Sequence, residues 1–386
     1  MSKGTLLVKN ATVYTLEETG TLANADVLIV DGVITQIGHN LSAVDAEVLD
    51  ASGLHVIPGM IDAHSHAGGF ETYSAQSDVN ENTNPITPQM NIIHSIDVTD
   101  PSFQVAHKVG VTTVCIPPGS ANVICGYAIT AKTAGSNIYD MVIQNPAAMK
   151  CALGGNPKGY GRRNQMPATR MGVAFMLRDA LRKASEYSSK QAEAAEDTEK
   201  VPAFDAQSEA LLPVLRGEIP LKIHCEQFDM LTAIAVAKEF NLSYTIEHGW
   251  AGDQYLDELA AGGGAVCFGP VCIVEGVGEL TGGDVAVAKA MDERGICVSL
   301  ITDAPIFSNQ ALLLSAGEAV RVGVPHLRAL GMITLNPAVA LKLDHKVGSL
   351  AIGKDGDLAI FEGIPALDMH ARVRYTVIEG TVVYQE

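Results

Sequence analysis

Apolar positions follow two rhythms along this chain. Between residues 4 and 50 they alternate with polar ones: Leu6-Leu-Val-Lys-Asn-Ala-Thr-Val-Tyr14, then Ala25-Asp-Val-Leu-Ile-Val30 and Val33-Ile-Thr-Gln-Ile37 on either side of Asp31-Gly32. Alternation of this length reads as half-buried strand, and Asp-Gly between two such runs reads as a hairpin turn. The tail behaves alike. Asp357-Leu-Ala-Ile-Phe361 is one strand, and residues 373–384 form a hairpin turned at Glu379-Gly380. Neither end has enough strands for a core of its own. Both are therefore expected to join in one small β-sandwich domain, residues 1–57 and 348–386, with the middle of the chain inserted between them.

The middle, residues 58–347, alternates short apolar strands with helices. A helix at 103–109 leads into a strand at 111–116. A strand at 221–224 precedes a helix at 229–240, and a further strand covers 242–247. Another strand, 265–268, is followed by a helix at 285–294 and a strand at 296–301. Repeated βα units over this length predict an α/β fold, a (β/α)8 TIM barrel or a doubly wound sheet. No Gly-x-Gly-x-x-Gly follows an early strand, which weighs against the dinucleotide-binding version of the second. Residues 164–216 break the rhythm. Within them 174–200 reads as one or two surface helices, the last part almost wholly polar, forming a helical excursion above the barrel.

Composition narrows the function classes. The chain has 386 residues, is 47% hydrophobic and contains 37 glycines, so a large core and frequent turns are expected. Net charge is −18, which repels polyanions. The one basic run, Lys158-Gly-Tyr-Gly-Arg-Arg163, is short, so no nucleic-acid partner is expected. The first residues lack the apolar stretch of a signal peptide, and no apolar run is long enough to span a membrane. Seven cysteines without a Cys-x-x-Cys pair lie mostly in apolar runs. Buried free thiols and a cytoplasmic location follow as expectations, with a small-molecule substrate and homo-oligomeric assembly.

Candidate chemistry sits at strand ends. In Val56-Ile-Pro-Gly-Met-Ile-Asp-Ala-His-Ser-His66 the two histidines are one residue apart and share a strand face. His224, His248 and Asp303 end three other predicted strands. In a parallel barrel such ends open on one face, and imidazole with carboxylate is the ligand set of Zn2+ and its neighbours. One or two divalent ions are expected, with Fe2+ or Mn2+ as alternatives. Lys150 closes Ala147-Ala-Met-Lys150, after a turn. As an ammonium it does not suit a cationic site; as N6-carboxylysine it is anionic and bridges two ions.

These residues carry a resemblance. The run ending at His66, with Lys222-Ile-His224, Ile246-Glu-His248, Thr302-Asp303 and the closing stretch Asn336 to Phe361, resembles the amidohydrolase superfamily over essentially the whole chain. The resemblance implies His64 and His66 on one metal, Lys150 as the carboxylated lysine, His224 and His248 on a second metal, and Asp303 as ligand and general base. His224-Cys-Glu-Gln227 is similar to the imidazolonepropionase branch, where that motif meets metal and substrate. Asp303 is followed by Ala-Pro instead of Asn-Pro-Gly, and Lys150 belongs to binuclear members, so a related hydrolase of cyclic amides or dipeptides is expected.

The implied reaction is attack of metal-activated water on a C–N bond of an amide, cyclic amide or amidine. In a mononuclear version His248 becomes a clamp on the oxyanion. Alternatives are imidazolonepropionase proper, an aminoacyl or N-acyl amino acid dipeptidase, a metal-dependent isomerase or lyase, and a silent binding barrel. Expected substrate contacts are Glu226 and Gln227, Asn122, Tyr160, Arg163 and Arg170 as carboxylate clamps, and Glu81 with Asp78 and Asn80 in the first βα loop. Trp250 either lines the pocket or packs. Strand alternation turns Glu247 away from His248, toward packing.

Overall fold

The computed structural model describes residues 4–70, 77–194, 201–271 and 281–386. Five strands open the chain: β1 (Thr5–Tyr14), β2 (Thr21–Val30), β3 (Val33–Gly38), β4 (Glu47–Asp50) and β5 (His55–Pro58). Eight follow in the middle: β6 (Met60–Asp62), β7 (Val111–Ile116), β8 (Ile124–Lys132), β9 (Val142–Ala152), β10 (Leu221–Cys225), β11 (Tyr244–His248), β12 (Ala265–Phe268) and β13 (Val298–Leu300). Three close it: β14 (Leu358–Glu362), β15 (Arg372–Ile378) and β16 (Thr381–Gln385).

The two ends of the chain share one hydrogen-bonded sheet, in the order β16-β15-β14-β5-β1-β2-β3 with β4 on β1. Asp31 and Gly32 both have positive φ, 50° and 85°, as the tight turn between β2 and β3 requires. Glu379 and Gly380 do the same between β15 and β16. Leu6, Val8, Val27, Ile29, Val56, Ile360 and Val377 form its core.

Strands β6 to β13 make the second sheet, in sequence order. It is nearly closed. The main-chain N–H of Asp303, just past β13, donates to the His64 carbonyl past β6 at 3.0 Å, and Ile61 donates to Ile333 at 2.8 Å. One strand departs from the expected βα repeat: β8 runs antiparallel to both β7 and β9. Residues 117–123 and 133–141 are all that connect it to its neighbours, too little chain for a parallel crossover, so the direction reverses. The turn expected before Ala147 is also absent, because β9 runs unbroken through it.

The excursion is more deeply packed than expected. The helix Arg170–Glu193 is capped by Thr169 and buries Val173, Leu177, Leu181, Ala184 and Tyr187, spaced to line one face. It packs on the helix Ala206–Leu215. Part of the polar stretch, 195–200, lies outside the described residues, as does Cys272. Among the described residues no helix is long and apolar enough to cross a membrane.

A single residue, Gly59, separates β5 from β6, and a Cβ there would overlap the Thr112 side chain. The barrel and the terminal sheet are also tied by charge. Lys132 of β8, 5% exposed, reaches Asp355 at 2.7 Å and Asp357 at 2.6 Å, just before β14. Burial would discharge this lysine, but Asp357 and Asp355 outweigh it and hold the ammonium above its ordinary range. Lys132→Met leaves buried Asp357 without its cation, while Asp355 keeps Lys346 at 2.8 Å, and is expected to destabilise the fold by about 3–5 kcal/mol in a denaturant titration. Lys289→Met, which cuts an exposed pair with Glu293, should cost less than about 1 kcal/mol. Equal midpoints for the two variants would contradict the clamp.

Candidate metal centre

The ends of β6, β9, β10, β11 and β13 deliver six of the expected side chains to one mouth of the barrel. His64 Nε2 lies 3.7 Å and His66 Nε2 3.3 Å from Asp303 Oδ1. Lys150 Nζ is 3.2 Å from His64 Nε2. The His248 ring is 5.1 Å from that of His64 and 4.5 Å from that of His224, centroid to centroid.

Backbone geometry explains how alternate strands can all point in. His248 and Asp303 have φ of 72° and 58°, the left-handed region that side chains other than glycine rarely enter. The left-handed turn at His248 breaks the alternation of β11. Thr245 and Glu247 face the interior as the pleat dictates, and His248 swings back over the mouth. The expectation that Glu247 turns away to packing is therefore corrected. It is fully buried inside the barrel, with Oε2 2.6 Å from His64 Nδ1 and Oε1 2.9 Å from Lys222 Nζ.

The tautomers follow from the partners. His66 Nδ1 meets the Pro117 carbonyl at 3.0 Å and His248 Nδ1 the Gly269 carbonyl at 2.8 Å. A carbonyl only accepts, so each Nδ1 carries the proton and each Nε2 presents a lone pair. His64 is set alike by Glu247. The mouth therefore gathers His64 Nε2, His66 Nε2 and Asp303 Oδ1, three acceptors within 4.8 Å of one another. Asp303 Oδ1 is buried without a hydrogen-bond partner. Acceptors so placed repel unless a cation lies between them. Two ligands bound at ~2.1 Å with tetrahedral angles stand about 3.4 Å apart, and the observed separations match. The donor set fits a divalent cation.

Charge is tuned accordingly. Burial, followed by the neighbouring Lys150, pushes His64 well below the ordinary histidine range and His224 down to about 3. Burial and the adjacent His224 bring His248 to about 4. All are neutral, as ligands must be. Burial also lowers Lys150, favouring the free amine. Lys222 stands beside Lys150 in register, and the Glu247 carboxylate pairs with Lys222.

Asp62 escaped the sequence reading although it lies two residues before His64. Its carboxylate accepts from the Asn309 amide at 2.9 Å, from the Thr302 hydroxyl, and from the main-chain N–H groups of His64 and Thr302. It thus staples β6 to the loop carrying Asp303. Burial raises it to about 7. An Asp beside a His-x-His was the available signal.

The centre opens into a cavity of about 610 Å³. Of the expected substrate contacts Glu226 lines it, 3% exposed, with Oε1 2.9 Å from His224 Nε2 and Oε2 unpartnered. Asn80 and Trp250 line it as well. Gln227 is not among the lining residues; its main-chain N–H donates to the Trp250 carbonyl. Asn122 and Tyr160 are in the wall: the Tyr160 hydroxyl donates to Asn122, whose amide donates to Thr87 and to the Glu81 carbonyl. The Glu81 carboxylate points outward to Thr83. Arg163 donates to the Asn82 carbonyl and Arg170 grips Asp229, so neither is a cavity clamp. Long side chains in loops have many reachable partners, and spacing does not choose among them. Asn156, Phe70 and Phe307, which line the cavity, carried no sequence signal.

A profile of the amidohydrolase family matches residues 224–383. The crystal structure of an amidohydrolase from Thermotoga maritima MSB8 superposes with a TM-score of 0.93 and 34% identity, covering 99% of this chain and 100% of that one. The chain belongs to the amidohydrolase family. Amidohydrolase tasK of Hapsidospora irregularis is 28% identical over 94% of this chain, which spans only 40% of that protein's length. The imidazolonepropionase of Clostridium tetani is 25% identical over 94% of this chain and 93% of its own. The amidohydrolase chain thus stands near the imidazolonepropionases, and it is a hydrolase by that membership.

The depressed histidines set a pH dependence. The unfolded chain takes up protons near 6.5 that folded His248 refuses until about 4. Stability of the metal-free protein is therefore full above about 6.5 and falls as pH drops through that window, by on the order of 3 kcal/mol for His248 at ~1.4 kcal/mol per pH unit. Asp62, with its raised value, works in the opposite direction, so His248→Asn serves as the reference. Urea midpoints of the metal-free protein between pH 7.5 and 4.5 should fall more steeply for wild type than for H248N; parallel curves would refute the linkage.

Proposed function

We propose that this protein hydrolyses a C–N bond in a small polar amide, cyclic amide or amidine. The observation that carries the reading is the convergence of His64, His66 and Asp303 lone pairs on one point at the floor of a cavity. In this reading those three would hold one divalent cation, most simply Zn2+, and His224 and His248 would hold a second. Such a cation would lower the pKa of a bound water and polarise the scissile carbonyl. Lys150, its buried amine lowered, would add to CO2 with loss of one proton and serve as N6-carboxylysine, an anionic further ligand. Asp303 keeps one oxygen for the proton of the attacking water and returns it to the leaving nitrogen.

The cavity favours a substrate type. Trp250, Phe70 and Phe307 offer flat apolar walls, while Asn80, Asn156 and Glu226 offer polar edges. No lysine or arginine is among the described lining residues, and Arg163 and Arg170 are engaged elsewhere. A neutral or N–H-rich ring suits this surface better than a free carboxylate, which places cyclic amides ahead of N-acyl amino acids and dipeptides. Similarity to imidazolonepropionases over nearly the whole chain supports that enzyme's own reaction as the second reading.

The finer architecture goes with this reading. The barrel is a (β/α)8 barrel whose third strand is reversed, and residues 1–57 with 348–386 are a separate sandwich-type domain. The free, mostly buried cysteines Cys115, Cys125, Cys151, Cys225 and Cys267 accord with a reducing, cytoplasmic setting.

Asp303→Asn is expected to lower kcat by at least ~10²-fold with an unchanged unfolding midpoint, measured as amine or ammonia released from a panel of cyclic amides. Near-wild-type turnover would remove Asp303 from the role. Protein incubated with 13C-bicarbonate and Zn2+ should show a carbamate 13C resonance that Lys150→Ala lacks; its absence from the wild type rules out the bridge.

A further inference from the structure

Beneath the metal centre lies a charged pair, in a layer that barrel interiors usually fill with branched apolar side chains. Lys222 of β10 and Glu247 of β11 are both fully buried, 2.9 Å apart, with Cys267 Sγ 3.9 Å from Lys222 Nζ. The Thr245 hydroxyl also donates to Glu247 Oε1. With Oε1 taken by two donors, Oε2 is left to face His64 Nδ1 at 2.6 Å. A buried ion pair adds little net stability over apolar residues of the same volume. Holding the barrel together therefore does not account for this one.

We propose that Glu247 and Lys222 are positioning residues for metal capture: they lock His64 as its Nδ1–H tautomer and aim its Nε2 lone pair at the cation shared with His66 and Asp303. The proposal rests on the metal-centre reading above. His66 and His248 take their orientation from main-chain carbonyls of Pro117 and Gly269, which any sequence supplies. His64 takes its orientation from a side chain. Lys222 matters because it occupies one carboxylate oxygen and leaves the other to accept from His64. An amide at 247 does the reverse. With its oxygen on Lys222, its NH2 faces His64 Nδ1, and the ring must then carry its proton on Nε2, where the cation has to bind.

The test compares wild type, Glu247→Gln and the double variant K222M/E247M. The last replaces the pair by apolar side chains and retains a filled core even where the single change unfolds the protein. Metal-free samples are titrated with Zn2+ against a chromophoric chelator, and unfolding midpoints are recorded in the absence of metal. Zn2+ affinity is expected to drop about 10–100-fold in both variants, while the midpoint of K222M/E247M stays near that of wild type. With Co2+ as the probe, the visible absorption of the variants should shift as one imidazole leaves the coordination sphere. A folded K222M/E247M that binds Zn2+ as tightly as wild type overturns the proposal, as does an E247Q with unchanged affinity and Co2+ spectrum. Failure of the wild type itself to bind Zn2+ overturns the metal-centre reading and this proposal with it, and is thereby told apart from failure of the positioning role alone.

Discussion

Three lone pairs pointing at one another organise this protein. His64 Nε2, His66 Nε2 and Asp303 Oδ1 stand within 4.8 Å, with the Asp303 oxygen buried and unpartnered. Such an arrangement repels itself unless a cation fills it, so the surroundings must hold it in place. Left-handed backbone at His248 and Asp303, main-chain acceptors behind His66 and His248, and the Asp62 staple across the barrel seam do so. The left-handed backbone at His248 and Asp303 is the departure from the most favourable conformation, and the hydrogen bonds around it hold it at this end of the barrel.

Holding ligands this way requires a polar interior. Lys150, Lys222, Glu247 and Asp62 are all fully buried inside the barrel. Glu247 pairs with Lys222, and burial lowers Lys150 from the ordinary lysine range. At the junction with the terminal sheet Lys132 pairs with both Asp355 and Asp357, and Lys346 adds a second cation to Asp355. Leaving such a buried charge without its partner costs several kcal/mol.

Much of this could be read from the chain. The alternation of residues 4–37 and 373–384 foretold hairpins with their Asp-Gly and Glu-Gly turns, and both ends do share a sheet. The His-x-His run, His224, His248 and Asp303 marked the strand exits, because strand ends are visible as breaks in apolar runs. The reversed β8 was hidden. Its residues look like any other strand, and only the shortness of the links on either side betrays its direction. Glu247 was misjudged because alternation does not hold through the last residue of β11, where positive φ at His248 cancels it. The arginines and Tyr160 were misjudged for another reason. A flexible side chain in a loop takes whichever partner the neighbouring loops bring, and those neighbours lie 38 to 81 residues away.

The sequence by itself determined which side chains stand at strand exits, the chemistry of their donor atoms and the family to which they belong. Those follow from local periodicity and residue type. Tertiary structure alone decided which lone pairs face one another, which lysine keeps a counter-ion and which tautomer each imidazole adopts. Those depend on distances between strands far apart in the chain. Glu247 reaches across 183 positions to His64, and Asp62 across 247 to Asn309. Hydrogen bonds act over about 3 Å, and only closure of the barrel brings such residues that near.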